Sequence, residues 1–96
     1  MLRTTHRLFF RSSQDMSYLP DESVDLVVTS PPYPMIEMWD EVFSSQSSTA
    51  AEALREEDGT AAFGHMHEVL DGVWRECRRV IKPGGFACIN IGDATR

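Results

Sequence analysis

Residues 24–33 read VDLVVTSPPY, and they are the strongest indication of the fold class in this sequence. The run 24–29 is nearly continuous in apolar and β-branched residues, which predicts a strand buried on both faces of a parallel sheet. The sequence SPPY follows at its carboxyl end, at positions 30–33. Its two prolines fix φ at about −65° and remove two backbone donors, so the loop holds its carbonyl oxygens and its aromatic ring stiffly. Ligands bind at this edge of open α/β sheets, which makes the loop the candidate site.

A long helix is the next clear element. Apolar residues recur at steps of three and four, which is the helical period, at Phe63, Met66, Leu70, Val73, Cys77 and Val80. Thr60 is a candidate N-cap, and the turn KPGG at 82–85 ends the helix because proline cannot continue it. Residues 86–91 are predicted to form the last strand. Strand, helix and strand in this order predict a parallel βαβ unit with a right-handed crossover.

Three weaker elements are predicted from shorter patterns. Residues 6–10, HRLFF, are a candidate short strand, and 14–19 a candidate helical turn. A short helix is predicted over 50–58. Thr49 and Glu52 have the spacing of a capping box at its start, and its acidic surface favours an exposed and mobile segment.

Length and composition bound the class of protein. Ninety-six residues with 42% hydrophobic content fit one small globular domain. No apolar run approaches the roughly 20 residues that span a bilayer, so no membrane contact and a cytoplasmic location are expected. Cys77 and Cys88 are spaced for neither a zinc site nor a redox pair, and both are interpreted as buried thiols. No metal site is predicted.

The charge balance is acidic. Nine basic residues stand against 15 acidic ones, which gives a net charge of −6. Nucleic-acid surfaces normally carry a cationic patch that displaces counterions from phosphate, and the chain as a whole lacks one. A basic stripe at the end of the long helix is predicted to be a solvated face: Arg75, Arg78, Arg79 and Lys82.

The SPPY loop after a strand, followed by KPGG and by FACINIGD at 86–93, resembles the DNA amino-methyltransferases. Their catalytic pattern is Asp/Asn/Ser-Pro-Pro-aromatic, and serine in first position is more typical of cytosine-N4 than of adenine-N6 enzymes. The resemblance implies an α/β chain with part of a Rossmann-like methyltransferase fold, a mostly parallel sheet with flanking helices.

The resemblance also implies an activity: methyl transfer from S-adenosylmethionine to the N4 amino group of cytosine in double-stranded DNA. Its catalytic residues are then Ser30, Pro31, Pro32 and Tyr33, with Tyr33 stacked on a base flipped out of the duplex. Adenine-N6 methylation stays open, as does a non-catalytic truncated or split subunit that needs a partner chain. Methylation at cytosine C5 is disfavoured because no activated thiol is evident.

Two departures from the family pattern concern the cofactor. The chain has no Phe-x-Gly-x-Gly turn, and Arg11-Ser12 stand where the family usually has Gly-Asp. Ser12 and Asp93 are the remaining candidates for cofactor contact. In one group of these enzymes the catalytic loop precedes the cofactor loop, so residues 1–96 are predicted to be the N-terminal part of such a domain, without its glycine loop and target-recognition region. The isolated chain is expected to be inactive, and to need a complementary half or to self-associate.

Overall fold

The structure is a computed structural model that describes residues 2–92. The elements of this part of the chain, in order, are β1 (Val24–Thr29), a 3₁₀ helix (Glu37–Trp39), α1 (Asp40–Gln46), α2 (Ser48–Arg55), α3 (Gly59–Val80) and β2 (Ile81–Ile89). No helix within residues 2–92 has the length and apolar character needed to cross a bilayer.

The two strands pair in parallel and form a two-stranded sheet. Leu26 lies opposite Phe86, and Thr29 lies opposite Ile89. Parallel strands need a long crossover connection, and here the connection contains all three α-helices. The predicted βαβ arrangement and the bounds of the first strand are therefore confirmed.

The turn predicted to end the long helix lies inside the pairing of β2. Val24 pairs with Ile81, and residues 82–85 then loop out before regular pairing resumes. Gly84 has φ +82°, a backbone conformation that glycine adopts without steric cost. The helix ends at Val80, before the turn that was predicted to end it. Strand β2 begins at Ile81 rather than at residue 86, because Ile81 already pairs with β1, and it ends at Ile89 rather than at residue 91.

The apolar stripe of α3 organises the core. One buried cluster joins α3 to α1 and α2, and its members are Phe43, Ala50, Ala53, Ala62, Met66, Val69 and Leu70. A second cluster lies where the end of α3 meets β1 and the segment before it, and it contains Met16, Cys77 and Val80. The predicted helical period is confirmed over most of its length, although Phe63 is exposed.

The helix starts differ from the predicted ones. The side chain of Ser47, rather than Thr49, accepts a hydrogen bond from the Ala50 N–H and caps α2. Asp58, rather than Thr60, caps α3 by accepting from the Ala61 N–H. The helix α2 also packs into the core through its small side chains, so it is not a free surface segment.

The predicted strand at residues 6–10 is wrong. These residues are exposed and extend along no strand of the described chain, so their backbone lacks the hydrogen-bond partners that a strand requires. Phe9 instead stacks on Tyr18, with ring centroids 3.9 Å apart. The segment 14–19 contains hydrogen-bonded turns but no helix. One of these turns is closed by the Leu19 N–H, which donates to the Met16 carbonyl over 2.8 Å.

One face of the sheet is uncovered, which contradicts the prediction of a strand buried on both faces. Val28 is 74% exposed and Phe86 is 70% exposed. Cys88, paired with Val28, is exposed as well, so the prediction that both cysteines are buried holds only for Cys77. The described helix α3 packs against the other face, through Cys77 and its neighbours, and leaves this one open.

Candidate functional site: the loop after β1

The SPPY loop leaves the sheet where the strand pairing ends. The Asn90 N–H donates to the Thr29 carbonyl over 2.9 Å, so the ladder supports the chain up to the first residue of the loop. Pro31 is buried and Tyr33 is half-buried, while Ser30 is exposed. The sheet therefore fixes the base of the loop and leaves the serine hydroxyl open to a ligand.

The first and last residues of the motif are joined by their side chains. Ser30 Oγ and Tyr33 Oη are 3.2 Å apart, and either hydroxyl can donate. Beyond the motif, the Ile36 N–H donates to the Tyr33 carbonyl, and Met35 has φ +68°. Pro34 in the second position and a positive φ in the third are features of a type II turn. A positive φ is uncommon for a methionine, and such backbone strain concentrates at functional sites.

A cavity of about 490 Å³ lies beside the loop. Ser12, Ser30, Pro31 and Pro32 contribute to its wall, together with Arg11, Ser13, Thr29 and Gln46. Its apolar side is formed by Phe43, Val69, Leu70 and Val73. The structure thus brings the predicted cofactor residue Ser12 and three of the four predicted catalytic residues to one cavity. Tyr33 is joined to this group through Ser30, and Asp93 lies outside the described residues.

The segment that carries Ser12 is held against the helices by Gln14. The Gln14 Nε2 donates to the Val69 carbonyl over 3.3 Å and to Gln46 Oε1 over 3.2 Å. These bonds tie the segment to α3 and to the end of α1. They explain how a stretch without regular secondary structure forms one wall of the cavity.

Arg79 has a structural role that the sequence pattern does not predict. Its guanidinium donates to the carbonyls of Leu19 (2.9 Å) and Met16 (2.8 Å) and to Asp21 Oδ1 (2.7 Å). It also pairs with Glu76 one helical turn earlier. The prediction of a solvated side chain is therefore wrong for Arg79, which clamps residues 16–21 onto α3. The spacing of Glu76 and Arg79 is the only sign of this in the sequence.

Glu76 completes the clamp. Its carboxylate accepts the Met16 N–H over 2.6 Å as well as two bonds from Arg79. The hydrogen bonds from Arg79, and then the one from Met16, lower the pKa of Glu76 below its usual value. The same partners, Glu76 and Asp21, raise the pKa of Arg79. The helix end and the segment leading into β1 are thus joined by charge-assisted hydrogen bonds.

Comparison with known proteins gives the family. A DNA methylase family model, N6_N4_Mtase, matches residues 24–96. The type II methyltransferase M.MthZI of Methanothermobacter thermautotrophicus is 54% identical over an alignment of 96 residues, which covers 99% of this chain and 27% of the relative. The type II methyltransferase M.MjaI of Methanocaldococcus jannaschii is 45% identical over an alignment of 106 residues, which covers 99% of this chain and 35% of the relative.

The chain therefore spans about a third or less of the length of these relatives. No solved structure matches it. The matched family region begins at the first residue of β1 and includes the whole SPPY loop, α3 and β2. The chain belongs to the N6/N4 DNA methylase family, as a fragment of a DNA amino-methyltransferase.

Proposed function

We propose that this chain supplies the catalytic loop of an S-adenosylmethionine-dependent methyltransferase that modifies the N4 amino group of cytosine in double-stranded DNA. The observation that carries the proposal is the single cavity that Ser12 shares with residues 30–32. In the family pattern these positions belong to cofactor binding and to catalysis. We propose that the complete domain is Rossmann-like, with its glycine loop and target-recognition region contributed by polypeptide outside these 96 residues or by a complementary chain.

The residues present fit part of the cofactor. A cavity of about 490 Å³ lies within the range of about 300–1,000 Å³ that is usual for ligand pockets. Its hydroxyl groups, with Ser12 foremost, suit the polar edge of a nucleoside, and the apolar side from α1 and α3 suits its ring. Asp93 is proposed as a further contact. S-adenosylmethionine, when bound, supplies an electrophilic methyl group on a sulfonium sulfur, and the sulfur is the leaving group that keeps the electron pair of the C–S bond.

The loop is proposed to activate the amino group by hydrogen bonding. The cytosine amino nitrogen is a poor nucleophile because its lone pair is delocalised into the ring. Ser30 Oγ and the Pro31 carbonyl each accept a hydrogen bond from one of its two N–H groups. These hydrogen bonds localise the lone pair on nitrogen. A hydroxyl has two acceptor lone pairs, so Ser30 can accept from Tyr33 and from the base together. With the lone pair localised in this way, the nitrogen would accept the methyl group and would then release one proton to water.

A graft into a relative tests this function. We replace the matched 27% of M.MthZI by this chain and measure transfer of labelled methyl groups from S-adenosylmethionine into duplex DNA, with unmodified M.MthZI as the reference. Nucleoside analysis of the product is expected to give N4-methylcytosine. N6-methyladenine would instead favour the adenine alternative. A folded graft that transfers no methyl group would favour a non-catalytic subunit.

The same graft tests the proposed role of Tyr33. Tyr33→Ala removes the ring on which the flipped base stacks, a contact worth about 1–3 kcal/mol, so kcat/KM is expected to fall about 5- to 150-fold. Tyr33→Phe keeps the ring and loses only the hydroxyl bonded to Ser30, so its loss is expected to be smaller. Equal losses in the two variants would contradict stacking as the main contribution of this residue.

A further inference from the structure

We infer that Gly92 is a positioning residue for Tyr33: the absence of a side chain at position 92 sets where the tyrosine ring lies. A Cβ atom built on Gly92 would be 2.8 Å from Tyr33 Cδ2 and 2.9 Å from Cε2. Carbon atoms at van der Waals contact are about 3.5–4.0 Å apart. The ring therefore occupies space that any other residue at position 92 would fill.

Backbone conformation does not explain this glycine. Gly84 has φ +82° and open space around it, so it is required for its conformation alone. Gly92 has no positive φ, and its backbone is therefore accessible to alanine. What excludes a side chain at Gly92 is the Tyr33 ring.

Strand β2 places Gly92 at the loop. Ile89 pairs with Thr29, and the Asn90 N–H bonds to the Thr29 carbonyl, directly before the SPPY motif. Two residues further on, the chain reaches the side of the Tyr33 ring. The residues that follow β2 thus contact the motif that follows β1, as expected for adjacent parallel strands whose carboxyl ends share one edge.

The contact matters for the proposed function, on which this inference rests. The ring has two constraints, since Ser30 binds its hydroxyl end and Gly92 lies against its Cδ2–Cε2 side. A methyl group at position 92 displaces the ring and lengthens its 3.2 Å bond to Ser30. The Tyr33 ring, on which the base stacks, and Ser30 Oγ, which accepts from the amino group, are then no longer correctly placed relative to each other, although neither residue has been changed.

The decisive test is ¹⁹F NMR of the 96-residue chain labelled with 3-fluorotyrosine. The chain has two tyrosines, and Tyr18 stacks on Phe9 in a separate part of the structure, so it serves as an internal reference. Gly92→Ala is expected to shift the Tyr33 signal and leave the Tyr18 signal in place. Gly64→Ala is the matched control, because a Cβ at that position meets nothing within 4 Å. An unchanged Tyr33 signal in folded Gly92→Ala overturns the inference.

A double-mutant cycle by thermal unfolding covers the case in which Gly92→Ala does not fold. The substitution is expected to lower Tm by at least about 4 °C when Tyr33 is present and by much less in a Tyr33→Ala background, where the clash is gone. Recovery of folding in the double variant supports the inference. Failure of the double variant to fold while Tyr33→Ala alone does fold overturns it. No readout involves methyl transfer, so the inference and the proposed function fail separately.

Discussion

Ser47 contributes hydrogen bonds to the ends of two helices, the C-terminus of α1 and the N-terminus of α2. Its backbone N–H donates to the Phe43 carbonyl over 2.9 Å and closes α1, while its side chain accepts from the Ala50 N–H over 3.1 Å and opens α2. Thr49, with Glu52 three residues later, is the one that fits the capping-box pattern in the sequence, but it already lies inside α2. The local pattern therefore indicates the wrong hydroxyl, because the position of the cap depends on where α1 ends.

The two hydroxyl residues should therefore differ in their effect on stability. Ser47→Ala removes the cap and is expected to lower the free energy of unfolding by about 1 kcal/mol. Thr49→Ala places a better helix former inside α2 and is expected to be neutral or stabilising. Urea unfolding of the two variants beside the parent chain measures both values. A larger loss for Thr49→Ala would restore the capping box read from the sequence.

Among the elements, those with a strong local pattern were predicted from the sequence. The bounds of β1 follow from the apolar run before SPPY, and α3 follows from its apolar period, which packs Met66 and Leu70 into the core. The segment 6–10 has equally apolar residues but forms no strand, since pairing depends on a partner that a local pattern does not reveal. Only part of the cavity beside the loop can be predicted from the sequence. The motif identifies Ser30, but the placement of Ser12 depends on the hydrogen bonds that Gln14 donates to Val69 and Gln46, which are far away in the sequence.

The junction between α3 and the segment before β1 should depend on pH. Hydrogen bonds from Arg79, then from Met16, lower the pKa of Glu76 in the folded chain. A carboxyl group with a lowered folded pKa adds stability above its unfolded pKa of about 4.3, and that stability is lost as pH falls through the folded value. Glu76→Gln removes this contribution, so the Tm difference between parent and variant is expected to be largest near pH 6 and to shrink towards about pH 3.

Glu52→Gln is the matched control for this pH series, since Glu52 is an exposed carboxylate on α2. Its Tm difference from the parent is expected to stay small throughout the pH range. Asp15, whose pKa is lowered mainly by the Ser17 N–H, is present in the parent and in both variants, and its charge acts on Glu76 only as the smallest of the causes that set the Glu76 pKa. If the Tm difference between the parent and Glu76→Gln did not change with pH, the charge of Glu76 would not contribute to the stability of this junction.

At the scale of the whole molecule, the sheet is unfinished in two ways. Both strands have an unpaired edge, and the face that carries Leu26, Val28 and Phe86 is uncovered in the described chain. Two-stranded sheets are marginal by themselves, and exposed strand edges promote association. The net charge of −6 opposes association but is not concentrated on this face, whose exposed side chains are apolar. The edges and the face that the proposed larger domain would cover are therefore expected to promote self-association of the isolated chain.

A charge on the open face should affect the isolated chain and the larger protein in opposite ways. Phe86→Asp is expected to raise the monomer fraction of the isolated chain in sedimentation velocity, because it places a carboxylate on the apolar face of β2. In the M.MthZI graft the same substitution is expected to lower Tm, since burying an unpaired charge under a layer that covers this face is unfavourable. Met38→Asp, at a methionine that is 73% exposed and outside the sheet, should do neither. If Phe86→Asp left the Tm of the graft unchanged, this face would stay in solvent in the larger protein as well.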